Sequence, residues 1–513
     1  MLATAWTVAL AGLDGVLIEV EVAVTNGLPK TELVGLPDTG LHEAKARCRA
    51  ALKESGHDWP DKAVTINLRP SDLPKTGSHY DLAIMAAVMG AAGIAPVDRM
   101  DRLVLLGGIG LTGRVHKVRG ILPAVLAAQR RGRELVVVPH EQVAEAALVD
   151  GMAVQGVGDL NDLIAVLRGR AEEVSEPKPV TARERRRDLA TLDMADVTGQ
   201  LEARWAVEVA AAGRHHLMMK GPPGVGKTML AERLPGLLPD LTMPEALEVA
   251  ALRSLRGLPI DGDVVLRPPY SDPHHSASMA SLVGGGRREI LPGAISMAHR
   301  GVLFLDESPE FARPVLEALR TPLESGMVSI DRVAAQGRYP ARFQLVMAAN
   351  PCPCGNAGTA SGPECRCTPM AVRRYGEKIS GPVLDRIDIA VHLRPLRRTL
   401  LAAAAGRGES SAVIADRVLL ARDRQRRRLE GTGWLTNAEV AGSYLRGALP
   451  LPDGVETLDR AVERGRLTSR GVDRCLRLAW TLADLAGLDR PGPAQVHQAL
   501  ALRGVEQTEP KVA

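Results

Sequence analysis

The chain has 513 residues, too many for one core and enough for about three domains. Lys and Arg number 64 against 60 Asp and Glu, a formal net charge of +4, so any polyanion must meet a local patch and not a generally basic surface. No apolar run approaches the ~20 residues of a membrane span, and the apolar N-terminus lacks a basic n-region, so the expectation is a cytoplasmic chain with no membrane partner.

Residues 1–172 alternate short strands ("GVLIEVEVAV", "AVTINL", "ELVVVP") with helices ("HEAKARCRAALKESG", "LPAVLAAQRRG"), the pattern of an α+β domain. Residues 173–190 carry charge and proline without apolar periodicity and read as a linker, its "RERRR" a solvated charge run. From 191 to 396 the apolar strands "HLMMK", "GVLFLDE", "FQLVMAAN" and "IDIAVHL" are separated by helices and loops, as in a parallel α/β sheet. Within this part "PPYSDPHHSASMASLVGGGRREILPG" forms an insert whose His274 and His275 read as hydrogen-bonded loop residues, with Arg287 and Arg288 following. "ESGMVSIDRVAAQGRYPARF" predicts a β-hairpin with Arg332 and Arg338 near its tip, placed to grip phosphates without sequence preference. Residues 397–513 read as helices alone, and the basic run "RDRQRRRLE" (422–430) would face DNA or water.

The strongest motif is "MMKGPPGVGKTML". Gly221, Pro222, Pro223, Gly224, Val225, Gly226, Lys227 and Thr228 satisfy G-x-x-x-x-G-K-[ST] after a strand and before a helix. Such a loop wraps phosphates with backbone N–H groups, the lysine reaches the β/γ-phosphates, and the threonine binds Mg²⁺. ATP and Mg²⁺ are therefore expected. "VLFLDE" ends a strand in Asp306, an Mg²⁺ ligand, and Glu307, which polarises the attacking water. "FQLVMAAN" ends in Asn350, whose amide would orient that water.

These strands, in this order, resemble an AAA+ ATPase. The phrases "GPPGVGKTML", "PHHSASMASLVGGG", "PGAISMAHRGVLFLDESPEF", "NPCPCG" and "SGPVLDRIDI" resemble the magnesium-chelatase-like ComM/YifB family over essentially the whole chain. The resemblance implies an α/β multidomain fold: an N-terminal domain, an AAA+ core and a C-terminal helical lid. It implies that Arg386 is an arginine finger offered to a neighbouring subunit in a hexameric ring, and that Arg470 is the lid's nucleotide-sensing arginine. It further implies DNA, single-stranded or branched, as partner, helicase-like branch migration during homologous recombination, and contact with recombination proteins. The alternatives are a chelatase-type subunit driving metal insertion and a regulatory ATPase acting on a protein. The fused N-terminal domain, expected to be missing from chelatase subunits, speaks against the former.

That domain, through "PKTGSHYDLAIMAA" and "GGIGLTGRVHKVRGILPAVLAAQRRG", resembles the peptidase domain of Lon protease, of the ribosomal S5 domain 2-like fold. The serine position of that family falls on His79, with Ser78 one residue off, and the lysine position falls on Leu122. The expectation is a Lon-like fold without peptidase chemistry, used for assembly or for holding a partner.

Four of the six cysteines, Cys352, Cys354, Cys365 and Cys367, form a C-x-C…C-x-C array directly after Asn350. Four thiolates can share one tetrahedral Zn²⁺, and a cytosolic disulfide is disfavoured. The expected role is structural, stiffening the link between Asn350 and Arg386.

Overall fold

The computed structural model describes residues 1–36, 39–73, 75, 77–174, 189–260, 262–286, 289–332, 335–357, 364–395 and 408–504. Most of the expected linker, the core-to-lid boundary near 396, and Arg287 and Arg288 lie outside the described residues.

The N-terminal part is built on a seven-stranded sheet. Its long hairpin, Leu2–Ala11 paired antiparallel with Asp14–Thr25, lies at the centre. Ala63–Arg69 and Lys30–Val34 extend it on one side, and Leu103–Leu105, Leu135–Pro139 and Ala153–Val157 on the other. The apolar segment "DLAIMAAVMGA" is a helix, Asp81–Ala91, buried at every residue. Being apolar all round, it can only sit inside a core. Its first residue is a buried carboxylate, and Arg47 of the neighbouring helix neutralises it at 3.0 Å.

The central part is a five-stranded parallel sheet in the order Tyr270–Ser271, Val302–Leu305, Gln344–Ala349, Leu217–Lys220, Ile389–His392. Register is tight. Leu217 faces both Val346 and Ile389, Lys220 faces both Ala349 and His392, and Leu305 faces Met347. The carboxyl ends of the three inner strands therefore emerge side by side, where ligands of open α/β sheets gather.

The C-terminal helices Ser411–Arg428, Ser469–Ala486 and Pro493–Leu502 share one apolar cluster with the core helix Leu201–Gly213. The basic run 422–430 is divided: Arg426, Arg427 and Glu430 are exposed, while Arg422, Gln425 and Arg428 turn toward the protein. Arg422 donates to Ala211 O at 2.6 Å and Gln425 to Ala212 O at 3.0 Å, capping the last carbonyls of helix Leu201–Gly213. Arg428 grips both carboxylate oxygens of Asp484 at 2.6 Å and lies over the Trp480 ring. Part of the charge is thus used in satisfying helix ends and one buried acid, which a count of arginines does not reveal.

A buried polar network joins core to lid. Asp388, 2% exposed, accepts the His216 N–H at 3.0 Å, lies 3.6 Å from His215 Nδ1, and pairs with Arg474 of the lid. His215 Nε2 lies 2.8 Å from the Thr481 hydroxyl. Burial alone would raise the Asp388 pKa, but Arg474, His215 and His216 outweigh it and hold the carboxyl well below the usual range.

Removing one partner of a buried charge pair costs about 3–5 kcal/mol, so Asp388→Ala should lower the thermal midpoint by several degrees. Because the folded-state pKa is depressed, the contribution is complete above the unfolded carboxyl value of ~4 and is lost as pH falls through the folded value. The gap in thermal midpoint between wild type and variant should therefore be constant at neutral pH and shrink in acid; a gap that does not change down to the acid limit of folding would contradict the pairing.

Candidate nucleotide site and its surroundings

The strand Leu217–Lys220 runs into the loop Gly221–Gly226, and the helix Lys227–Arg233 follows. Gly224 and Gly226 adopt φ of 77° and 95°, backbone that other L-residues rarely enter. Gly221 is required for a different reason: a Cβ there would lie 2.6 Å from Leu393 O. Val225 O accepts from Gln200 Nε2 at 3.3 Å, and Pro222 O accepts from Lys227 at 2.9 Å.

The lysine organises the site. Lys227 Nζ donates to Gly221 O at 2.6 Å and to Asn350 Oδ1 at 3.0 Å. Burial lowers its pKa, and the charges of Asp306 and Glu307 oppose that shift. Thr228 Oγ1 donates to Asp306 Oδ2 at 2.8 Å, while Asp306 Oδ1 takes the Glu307 N–H at 2.8 Å. Ser308 then ties this strand end to the next by donating to Ala348 O at 2.6 Å. The motif residues Lys227, Thr228, Asp306, Glu307 and Asn350 are thus gathered at one edge of the sheet. A threonine hydroxyl and a carboxylate in contact fit a hard cation, and a glycine-containing loop leading into a helix fits phosphates.

Arg386 and Arg470 stand elsewhere. Arg386 precedes strand Ile389–His392, whose first residue pairs with Leu217, so it lies beyond the opposite end of the sheet from the loop. Four residues of extended chain separate the two ends by about 13 Å. Its guanidinium is 7% exposed, donates to Pro382 O at 2.6 Å and pairs with Glu324. Arg470 lies 3.4 Å from Asp385, immediately beside it. Both line a cavity of about 620 Å³ between core and lid, together with Arg214, Arg342, Arg474 and Arg477. The sequence motif does not reveal that the two arginines share one wall.

The cysteine array closes on itself. The sulfurs of Cys352, Cys354 and Cys365 lie 3.4, 3.7 and 3.6 Å apart, and all four, Cys367 included, fall within 4.8 Å of one another. A tetrahedron with ~2.3 Å metal–sulfur bonds has S···S edges of ~3.8 Å. The backbone N–H groups of Asn356 and Arg366 lower the Cys354 thiol to about 6, with Cys352 adding to the effect. The array also touches the phosphate loop: Gly355, at φ 80°, has no room for a Cβ, which would lie 2.6 Å from Pro223.

The predicted hairpin forms from Met327–Arg332 and Ala335–Pro340. Arg332 stands at the last pair, opposite Ala335. Arg338 pairs with Ser329, three pairs back from the turn, so the expectation that it sits near the tip is corrected by register. Its carbonyl oxygen abuts Gly12 of the N-terminal hairpin, where a Cβ would come within 2.2 Å.

Leu122, at the position of the Lon lysine, is wholly buried and lies against the core: its N–H meets Ser254 Oγ at 3.3 Å, and Ala250 and Ala251 join its apolar cluster. Ser78 and His79 do line a cavity of about 330 Å³ that also receives Lys117.

Loop, threonine–carboxylate pair and parallel sheet define a P-loop α/β protein with an AAA-like core. Residues 193–401 match "Magnesium chelatase, subunit ChlI", residues 20–142 "Subunit ChlI of Mg-chelatase" and residues 408–503 "Magnesium chelatase, subunit ChlI C-terminal". The chain is 50% identical over 505 residues to an uncharacterised protein of Mycobacterium tuberculosis, covering 98% of both chains. It is 39% identical over 511 residues to YifB of Salmonella typhimurium and 38% over 510 residues to competence protein ComM of Haemophilus influenzae. Those matches cover 98–99% of this chain and 98% of each relative. The chain belongs to the magnesium-chelatase-like ComM/YifB family. A shorter match of 167 residues, 25% identical, is to Lon protease 2 of Bacillus subtilis, covering 29% of this chain and 30% of that one. Because residues 20–142 themselves match a chelatase subunit description, the N-terminal domain does not set this chain apart from chelatase subunits as expected.

Proposed function

We propose that this chain is the subunit of an ATP-driven ring motor acting on DNA, promoting branch migration as its resemblance to ComM implies. The observation that carries the ring is the position of Arg386, beyond the far end of the sheet from Lys227. A guanidinium there serves a γ-phosphate only in the next subunit, so a complete site needs two chains. Arg470, on the same wall, would approach that same neighbouring nucleotide, which differs from a lid arginine serving its own loop.

In this reading Gly221–Thr228 hold ATP, Lys227 compensates charge on the β/γ-phosphates, and Thr228 and Asp306 hold Mg²⁺. Glu307 takes a proton from the attacking water, Asn350 orients it, and Arg386 stabilises charge in trans. ATP with Mg²⁺ supplies the phosphoryl-transfer chemistry. Arg332 and Arg338 grip the DNA backbone.

A three-stranded fluorescent branch-migration assay tests this. Lys227→Ala and Glu307→Gln should abolish displacement, and mixing Lys227→Ala with Arg386→Ala should restore part of it, since mixed rings retain some intact shared sites. Robust ATP hydrolysis without displacement, alongside ATP-dependent insertion of magnesium into a porphyrin, would favour the chelatase reading instead.

The four cysteines hold one structural Zn²⁺, braced against Pro223 and so against the phosphate loop. Protein purified without chelator should contain one zinc per chain by elemental analysis, and Cys354→Ser with Cys365→Ser should lose it; zinc-free wild type of normal activity would refute the site.

We read the N-terminal domain as lacking peptidase chemistry, a reading supported by Leu122, which stands at the expected lysine position and is buried against Ser254. Casein incubated with the protein and ATP should stay intact; cleavage that disappears in Ser78→Ala would overturn this.

A further inference from the structure

His275 has no part in the roles assigned above. Its Nδ1 lies 3.3 Å from Glu307 Oε2. Its ring packs at 4.1 Å on that of His274, which is fixed in turn by a 2.8 Å contact between its Nδ1 and the Ser276 hydroxyl. The histidine therefore meets the carboxylate from a braced position. Glu307 itself adopts φ 48°, left-handed backbone that a glutamate occupies only when its surroundings hold it there. Among the described residues, no hydrogen bond links its carboxylate to Lys227, Thr228 or Asn350, whose polar groups are satisfied by one another, by Asp306 and by the loop.

The segment that carries His275 reaches the hairpin at its other end. It leaves the edge strand Tyr270–Ser271, passes through helix Met279–Leu282 and returns as the short strands Gly284–Gly285 and Leu291–Pro292. There the Tyr339 hydroxyl of the hairpin donates to Ile290 O. A Cβ at Gly284 would lie 2.8 Å from Ile330 Cδ1, and one at Gly337 3.0 Å from Ile290 Cγ2, so segment and hairpin are in close contact. One stretch of chain thus touches the reacting glutamate at its start and the candidate DNA-gripping hairpin at its end.

We propose that His275 is a positioning residue that holds the Glu307 carboxylate off the phosphate loop in the resting chain, and that a polymer displacing the hairpin and the 271–292 segment releases it. The proposal rests on the reading of Glu307 as the group that activates water. Hydrolysis is thereby coupled to occupancy of the hairpin without any movement of the phosphate loop.

The deciding measurement is steady-state ATP hydrolysis by the full-length protein with and without single-stranded oligothymidylate. His275→Ala should raise the polymer-free kcat several-fold with KM unchanged, and the ratio of stimulated to basal rate should fall toward one; His275→Gln, which can still reach the carboxylate, should lie between. Tyr339→Phe keeps the clamp and removes the hydrogen bond that joins its segment to the hairpin, so its polymer-free rate should match wild type while its stimulation drops. A His275→Ala protein that binds a fluorescent ATP analogue and melts like wild type, yet shows an unchanged or lower polymer-free kcat, overturns the clamp. Should His275→Ala fail to fold, wild-type stimulation in Tyr339→Phe, or a His275→Gln basal rate no higher than wild type, overturns it equally. Glu307→Gln separates the layers: if it hydrolyses ATP as fast as wild type, the reading of Glu307 fails and takes the proposal with it, whereas a dead Glu307→Gln beside an unaccelerated His275→Ala refutes the clamp alone.

Discussion

The parallel register of the central sheet is the constraint on which the rest of the site depends. Lys220 is level with Ala349 and His392, and Leu305 is level with Met347. That alignment brings Gly221, Asp306 and Asn350 to one edge although they are far apart in the chain. Parallel strands need crossover connections, and it is in those connections that the insert, the hairpin and the cysteine array are housed. The same register has a second consequence. Arg386, leading into a strand that starts level with Leu217, is forced to the opposite edge. A single chain thus carries Lys227 and Arg386 at opposite ends of its sheet.

The helical lid is anchored by satisfied polar groups as much as by apolar burial. Asp388 binds a backbone N–H of the core and a lid arginine, and sits two residues from Arg386. Gln344, at the start of the central strand, donates to Ala210 O and His215 O at 2.9 and 2.8 Å. Lid and core therefore share buried hydrogen bonds in a low-dielectric setting, where an unmet partner is costly. Displacement of the lid would be felt at the base of the strand that Arg386 precedes.

The N-terminal domain is fastened to the core through the surface where a Lon-type lysine would stand. Leu122, Ala250 and Ala251 pack together, and Ser254 contacts both Leu122 N–H and Glu145. Burial of Glu145 raises its pKa, while Ser254 and Gln142 oppose the rise by bonding its carboxylate. The neighbouring contact of Gly12 with the Arg338 carbonyl extends this joint to the hairpin.

Much of the site was legible in the sequence because its chemistry is local. A phosphate loop needs glycines, a lysine and a threonine at fixed spacing, and Asp306, Glu307 and Asn350 each end a short apolar strand, so type and order alone announced them. The C-x-C pairs were equally plain, since thiol ligands to a common ion must be close in the chain or be brought close. What pairing, register and burial determine was not legible. Side-chain identity says that residues 422–428 are basic but not that Arg422, Gln425 and Arg428 are consumed at helix ends and on Asp484. A hairpin is predictable, yet which arginine stands at its turn depends on its register. The His275–Glu307 contact and the common wall of Arg386 and Arg470 join residues with no periodicity or motif between them. The sequence by itself determined which groups could bind phosphate and metal; only the tertiary structure decided which of them face each other, because in a parallel sheet proximity is set by strand order and register and not by distance along the chain.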